Sequence, residues 1–398
     1  MAITIQHNPG TYFSAHGDLL FTVVDIVKAS DPITYPDYRY VCDVYVGAEL
    51  VTRLKAYPRP DYKIGIFSVG DIIRNYVAAT FNPTASQIRA QEMGSGEFYV
   101  TATMKFGEEY NFTLYTNLTV DSARVYFNHY NGRLLGSNTS LSSYLDKPLT
   151  ARPSTTPVKQ TGNFQFIPYL PTDTDNVTVE IKSYTEGGTL LGTYSTNIAP
   201  TAANTLQLYN ISPGAINTVS PGLIDPVVAS YYTVQFLNPN ISDEPLYRFN
   251  LVCENKYEVF TIHFLNRFGG FESRDFTKVS RKIIDIEKSE FGKLGYTMDL
   301  SGVITYKNSN NVYNEIRSVY ASQYKEKMTL TTDFLSNDEY VWMADLILSP
   351  MVFIEMSGYF VPCMITDNNY EFRKYINDQL TPLTINIEFG EQFNAQYR

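Results

Sequence analysis

The residues best suited to acid–base chemistry lie in one stretch of the sequence: His263, Asn266, Arg267 and Glu272. A histidine near a carboxylate can move protons at neutral pH, because its ordinary pKa lies close to that range. A catalytic role would also need a nucleophile or a second carboxylate at a recognisable spacing, and this stretch marks neither. We therefore predict that His263 is a structural histidine, hydrogen-bonded inside a sheet.

Motifs for metal binding and nucleophilic catalysis are absent from the sequence. The histidines show no H-x-x-x-H spacing and the cysteines no C-x-x-C spacing, so neither zinc nor a disulfide framework is indicated. There is no G-x-S-x-G elbow, P-loop or dinucleotide fingerprint. We predict no catalytic, cofactor-binding or metal residues, no cofactor and no enzymatic activity. The three cysteines lie in apolar runs and are expected to be small buried hydrophobic residues: Cys42, Cys253 and Cys363.

Two acidic clusters carry oxygen ligands of the kind that calcium prefers, Pro171–Asn176 and Thr366–Glu371. Neither follows the full calcium-loop pattern, so Asx-type turns are the expected structure for both. A pair of carboxylates for glycoside hydrolysis stays open, because the two members of such a pair can be far apart in sequence.

Composition favours a folded, mainly β protein. The chain has 398 residues, of which 44% are apolar and 18% charged, and tyrosine (32) and phenylalanine (24) are heavily used. The net charge of −10, without a long basic run, argues against a nucleic-acid partner. No apolar run approaches the roughly 20 residues of a membrane span, and the start MAITIQHNPG lacks the features of a signal peptide.

Alternating apolar residues predict strands along most of the chain. Tyr38–Gly47 and the following residues to Ala56 predict a hairpin that turns at Gly47, and Gly107 is expected to separate two more strands. The fold class is mainly β, with two or three β-sandwich-like domains and one well-capped helix. The expected domains are an N-terminal β-sandwich (1–118), a middle β/loop region (119–230) and a C-terminal β domain (231–398) with a helix at 337–348.

The predicted helix follows Ser336, which forms a capping box with Glu339. Apolar residues recur at helical spacing and predict the face that packs on the sheet: Tyr340, Met343, Ala344, Ile347 and Leu348. Trp342 lies off this stripe. We therefore predict that Trp342 and Glu339 face a neighbouring subunit, so that Trp342→Ala would weaken assembly but leave the fold largely intact.

Three stretches resemble structural proteins of tailed bacteriophages, of the kind found in phages of Bacteroidetes hosts. Tyr38–Val77 resembles an N-terminal β-sandwich module that ends in F-x-V-x-x-I-I-x-x-Y. Val259–Thr277 resembles an F-x-N-x-x-G-G-[FW]-[ED] strand and turn. The segment from Leu330 onwards resembles tail or baseplate members through its capped helix, L-x-S-P-x-V and I-T-D-x-x-Y-E-x-[KR] elements.

The resemblance implies a non-enzymatic structural subunit of a phage tail, tail hub or baseplate. Such a subunit would form a homo-oligomeric ring, dock neighbouring tail proteins and reside in the virion tail after synthesis in the host cytoplasm. The alternative is a carbohydrate-binding, receptor-binding or fibre-anchoring adaptor. That alternative would bind a host glycan through exposed tyrosines of the middle region.

Overall fold

A computed structural model describes residues 3–84, 87–128, 144–162, 164–238, 245–252, 256–307, 312–367 and 381–396. Strands hold 53% of the chain and helices 8%, which confirms the mainly β fold class. The helices are α1 (Ile26–Ala29), α2 (Gly70–Arg74), α3 (Pro213–Val219) and α4 (Asn337–Leu348). The chain divides into two units. The first comprises Met1–Glu254, His263–Asp275 and Val341–Pro350, and the second comprises Asn255–Ile262, Phe276–Tyr340 and Met351–Arg398.

The first unit begins with two sheets that share one apolar core, ordered β1-β3-β6 and β2-β9-β8-β4-β5. Their strands are β1 (Thr4–His7), β2 (Tyr12–Ser14), β3 (Leu20–Val24), β4 (Arg39–Val46), β5 (Glu49–Ala56) and β6 (Ile64–Ser68); β7 (Arg89–Met93), of another sheet, precedes β8 (Tyr99–Tyr110) and β9 (Thr113–Tyr126). The predicted hairpin is confirmed as β4–β5, and Gly47 turns it with a positive φ of 60°.

Two details of this sandwich differ from the sequence-based expectation. Gly107 lies inside β8, at an irregularity in its pairing with β9, and the turn is instead formed by Asn111 and Phe112, which have φ values of 49° and 57°. The domain boundary expected near Thr119 falls within β9. The strand continues to Tyr126 because its second half pairs with the start of β8, whose alternating residues belong to the same core.

A second pair of sheets in the first unit has the orders β10-β16-β15-β12-β13 and β11-β14-β7, and residues of both share one core. The strands are β10 (Thr155–Lys159), β11 (Phe166–Tyr169), β12 (Val177–Tyr184), β13 (Leu190–Ile198), β14 (Leu206–Asn210), β15 (Tyr231–Leu237) and β16 (Leu246–Val252). Strand β15 pairs with β12 across the boundary expected near Ser230, so one sheet continues through that position. The region read as a loop also contains α3, which Ser212 caps by accepting a bond from the Ala215 amide.

The remaining strands are β17 (Phe260–Leu265), β18 (Phe271–Phe276), β19 (Arg281–Gly292), β20 (Thr297–Met298), β21 (Ile304–Thr305), β22 (Arg317–Leu335), β23 (Val352–Met356), β24 (Tyr359–Ile365) and β25 (Thr381–Gln396). In the second unit, β23-β24-β25-β22-β19 is a continuous run, with β19 at the end of its sheet. In the first unit, Gly269 and Gly270 lie in the turn between β17 and β18, as the sequence predicted.

Helix α4 has the bounds that the capping residues predicted, Asn337–Leu348. The Ser336 hydroxyl accepts from the Glu339 amide at 3.3 Å, and the Glu339 carboxylate accepts from the Ser336 amide at 2.9 Å. Both bonds satisfy amides that a helix start would otherwise leave unpaired. The capping box is confirmed.

Removal of the cap gives a local test of this helix start. Ser336→Ala is expected to cost about 1 kcal/mol of helix stability. Amide hydrogen exchange at Glu339 should accelerate about fivefold, since its hydrogen bond depends on the Ser336 hydroxyl. Ser336→Asp, which retains a capping oxygen, is the matched control and should exchange at close to the original rate. Equal exchange in both variants would show that the cap contributes nothing.

Candidate functional site: a buried network and an exposed arm

The carboxylate of Glu272 is the centre of a buried polar network in the first unit. Glu272 lies on β18 and has no exposed surface. One carboxylate oxygen accepts a bond from the Thr150 hydroxyl. The other accepts from the Asn266 amide at 2.9 Å and from the Trp342 indole at 3.0 Å. Three side chains from distant parts of the sequence therefore converge on one carboxylate.

Arg152 is the cation of this network, and its side chain is completely buried. Its Nε lies 3.6 Å from the Glu272 carboxylate, and its Nη2 donates to the Ser273 carbonyl at 2.8 Å. The guanidinium also lies 4.7 Å from the centre of the Trp342 ring, within range of a cation–π contact. Burial lowers the pKa of Arg152 and the charge of Glu272 opposes that shift. A guanidinium nevertheless stays protonated in proteins, so the pair is ionic.

His263 is hydrogen-bonded inside the sheet, as the sequence predicted. Its Nδ1 lies 2.8 Å from the Ser273 hydroxyl, which also accepts from the Phe166 amide at 3.1 Å. The rings of Phe81 and Phe166 lie 6.0 and 5.2 Å from the imidazole. Burial, with a smaller contribution from the Lys159 charge, lowers the pKa of His263 to about 3. The imidazole is therefore neutral at physiological pH and has no exposed surface through which to meet a substrate.

A second buried carboxylate, Asp345, lies on α4 and accepts a bond from Arg267 Nε at 2.6 Å. Burial raises the pKa of Asp345 to about 6, and the charge of Glu272 adds to that rise while Arg267 opposes it. Two carboxylates are thus close enough to influence each other, as glycoside hydrolysis would require. Both are shielded from solvent and accept hydrogen bonds from neighbouring side chains, an arrangement that holds the fold together.

The structure corrects the interface prediction for Trp342 and Glu339. Trp342 has no exposed surface and Glu339 only 7%, so neither presents its side chain to a neighbouring subunit. The sequence-based prediction placed the buried face of the helix at the wrong angle around the helix axis, because it assumed that polar residues are exposed. Glu339 is buried by its capping bonds and Asp345 by Arg267, and the buried face is centred on Trp342 and its apolar neighbours.

The other candidate residues have structural roles. Cys42 and Cys363 are buried, as predicted, and burial raises the pKa of each thiol to about 12; Cys253 lies outside the described residues. In the cluster Pro171–Asn176, Asp173 accepts from the Asp175 amide at 2.9 Å, the expected Asx bond. In Thr366–Glu371, Asp367 accepts from Asn386, and residues 368–371 lie outside the described part. The described residues contain no cluster able to hold a metal ion.

A β arm in the second unit, formed by the described residues of Arg281–Leu335, carries many exposed apolar side chains. Its strands β19 and β22 pair antiparallel over their full shared length, and the short pair β20–β21 lies between them in sequence. Almost every residue of β19 is exposed. Its alternation of charged and branched apolar residues was the available signal.

Both faces of the arm carry ion pairs among apolar residues. On one face Lys327 pairs with Asp285 at 2.5 Å. On the other face Lys282 pairs with Glu326 at 2.7 Å, and alternation places Ile286, which is 60% exposed, on the same side. The exposed branched residues of the two long strands are therefore interspersed with charge.

The tip of the arm, defined here as residues 294–306, is predominantly apolar. Asp299 is its single charged residue, and its carboxylate accepts from the amides of Ser301 and Val303 at 2.9 Å each, which fixes the turn. The exposed apolar side chains of the tip are Leu294, Tyr296, Met298, Leu300, Val303, Ile304 and Tyr306. Clusters of this size on a protein surface mark interaction sites.

Comparisons with known proteins add no family. No protein-family model matches the chain, and no curated protein matches it. A tri-modular GH5 endo-β-1,4-glucanase from Bacillus licheniformis is 9% identical over 63% of this chain and 38% of its own, with a TM-score of 0.17. Immunoglobulin domains 1–4 of Sidekick-1 are 8% identical over 82% of this chain and 69% of theirs, also at 0.17. Scores this low carry no argument about fold or function.

Membrane insertion through a helix has no support in the described part of the chain. None of the helices there is long and apolar enough to cross a bilayer. The alternative of a glycan-binding surface predicts exposed tyrosines in the middle region. The described tyrosines of 119–230 are buried or half-buried, including Tyr126, Tyr169 and Tyr209.

Proposed function

We propose that this protein is a non-enzymatic structural subunit of a phage tail, tail hub or baseplate, and that it assembles into a homo-oligomeric ring. The observation that carries the proposal is the β arm Arg281–Leu335, whose apolar tip is exposed in the single chain. A soluble chain gains stability when such a surface is covered, because burial of apolar area is favourable. The resemblance of three stretches to tailed-phage structural proteins supports the part of the proposal that places the subunit in a phage tail.

The buried network supports an assembly role in a different way. Its charged groups Arg152, Glu272 and Asp345 are buried and make contacts within the first unit, so they serve the fold. Recognition therefore falls to apolar surface and strand edges, which are the features that protein–protein contacts use.

The arm tip provides the test. A variant with Leu294→Lys, Met298→Lys and Leu300→Lys is expected to lose self-association, because each charge would have to be buried in the assembled interface. The control variant carries Ile33→Lys and Val227→Lys, which are equally exposed apolar positions outside the arm. It should retain the oligomer of the original chain.

Sedimentation of the full chain over a range of concentrations, followed by electron imaging of the heaviest species, measures the outcome. We expect closed rings of one size for the original chain and its control, and monomers for the tip variant. An original chain that stays monomeric at every concentration would overturn the proposal. Rings that persist unchanged in the tip variant would remove the arm as its basis.

A further inference from the structure

A closed ring of more than two subunits needs two different surfaces on each subunit, because each copy must both offer a surface and receive one. The exposed arm is the surface offered. The receiving surface should offer a strand edge that is open, free of charge and able to pair with extended backbone, since the arm tip is a charge-poor β segment. One place in the first unit meets these three conditions.

That place is the open edge of β13. Strand β13 ends its five-stranded sheet and pairs with β12 on one side. Its nine residues, LLGTYSTNI, include neither a charged residue nor a proline. Natural proteins usually protect sheet edges with charge, proline or short length. Among the sheet-end strands in the described chain, β13 is the longest that has none of these devices.

The arm's own edge strand shows the opposite design. Half of the twelve residues of β19 are charged, with both signs alternating among apolar residues. A second β19 placed alongside would bring these charges into an edge contact, which disfavours arm-to-arm pairing. Strand β19 of the arm is thus protected by charge, whereas the open edge of β13 in the first unit is not.

A groove of about 330 Å³ lies beside β13, next to its open edge. Ile88, Ile198 and Val219 supply its apolar lining, while Arg89 and Asn197 lie among its polar residues. Arg89 donates to the Ala199 carbonyl at 2.7 Å, just past the end of β13, and so stays fixed. Beyond the groove, Leu190 and Leu191 of the same strand are exposed, as an uncovered contact surface would be.

We infer that β13 and its groove receive the arm tip of a second copy of this chain, which adds to the sheet as an extra strand. The inference rests on the proposed ring-forming function and names the receiving surface for it. Strand addition would supply main-chain hydrogen bonds to the open edge, and the tip's apolar side chains would fill the groove. Neither β13 nor the tip strands β20 and β21 carry a charged residue that pairing would bury without a counter-ion.

Two complementary variants test this. The blocked-edge variant carries Thr193→Lys and Ser195→Lys on exposed positions of β13 and keeps the arm intact. The blocked-tip variant carries Leu294→Lys, Met298→Lys and Leu300→Lys and keeps the edge intact. Each variant alone is expected to be monomeric. Mixed in equal amounts, they should form a species of two copies that grows no further, because one good tip then meets one good edge.

The matched control is Thr193→Val with Ser195→Val, which keeps the edge uncharged and should assemble like the original chain. Circular dichroism and thermal melting of each variant establish that it is folded before sedimentation is compared. Rings formed by the original chain and equally by the blocked-edge variant would overturn the inference while the proposed function stands. Failure of the two folded variants to combine would also overturn it. An original chain without self-association would overturn the proposed function itself.

Discussion

Glu272→Ala is expected to destabilise the first unit by about 3–5 kcal/mol, the cost of breaking a buried ion pair from one side. The alanine would leave Arg152 buried without its carboxylate, and Thr150, Asn266 and Trp342 without their shared acceptor. Arg274, which is 1% exposed, adds a second buried cation near the same indole ring. The uncompensated charge of the buried Arg152 contributes more to this cost than the lost hydrogen bonds do.

The single tryptophan makes this prediction directly measurable. Trp342 is the only tryptophan of the chain and donates to Glu272, so its fluorescence during urea unfolding reports on this network. Glu272→Gln keeps the shape and an acceptor oxygen and should cost less, about 1–3 kcal/mol. Glu49→Ala, at an exposed glutamate of β5, is the control and should stay within about 0.5 kcal/mol. A midpoint for Glu272→Ala equal to that control would contradict the central role of the carboxylate.

A double variant separates the ion pair from simple packing. Arg152→Met combined with Glu272→Leu removes both charges and fills much of the same volume. Because neither charge is then left alone, the double variant should be less destabilised than the sum of Arg152→Met and Glu272→Leu. Strict additivity would show that the two groups stabilise the fold independently, despite the 3.6 Å between them.

Local structure was the part of this fold that the sequence could predict. Alternation from Tyr38 to Ala56 predicted β4 and β5, and Gly47 marked their turn because its φ is positive. Ser336 and Glu339 fixed the start of α4 because both ends of the capping box lie within four residues. Each of these signals is complete within a short window of sequence.

Long-range pairing escaped the sequence for a physical reason. Strand β10 pairs in parallel with β16, so Thr155 lies opposite Arg248, and no local pattern records such a partnership. For the same reason the domain boundary near Ser230 cut through a single sheet. The buried network was missed because a charged residue reads as exposed until its partner is known. Arg152 and Glu272 are 120 residues apart in sequence.

The arm shows the converse difficulty. Its apolar tip resembles an ordinary buried strand when only periodicity is considered, because hydrophobic residues predict burial without stating which surface provides it. In the single chain these side chains are exposed, and Leu300 is completely so. In the described structure no layer of residues covers these side chains. The same residues that suggest a core in sequence therefore suggest an interface in three dimensions.

Trp342→Ala is expected to cost about 3–5 kcal/mol, because it removes the largest fully buried side chain and leaves a cavity. The indole packs 5.9 Å from the Phe264 ring and beneath the Arg152 guanidinium, in addition to its bond with Glu272. This replaces the sequence-based prediction that the variant would keep its fold and lose assembly. We expect Trp342→Ala to lose stability first. Assembly should then decrease only because less folded protein remains.

Two further substitutions on α4 divide this effect into its parts. Trp342→Phe keeps a ring in the cavity but removes the N–H donor, so it should cost about 1–3 kcal/mol for the lost hydrogen bond to a buried carboxylate. The same Glu272 oxygen keeps its bond from Asn266. Val341→Ala, at the half-exposed neighbouring position, should change stability by no more than about 0.5 kcal/mol. Urea unfolding followed by circular dichroism gives the stabilities, and sedimentation of the folded fraction gives the assembly state. A Trp342→Ala protein with unchanged stability and no oligomer would return the tryptophan to an interface role, against its complete burial in the single chain.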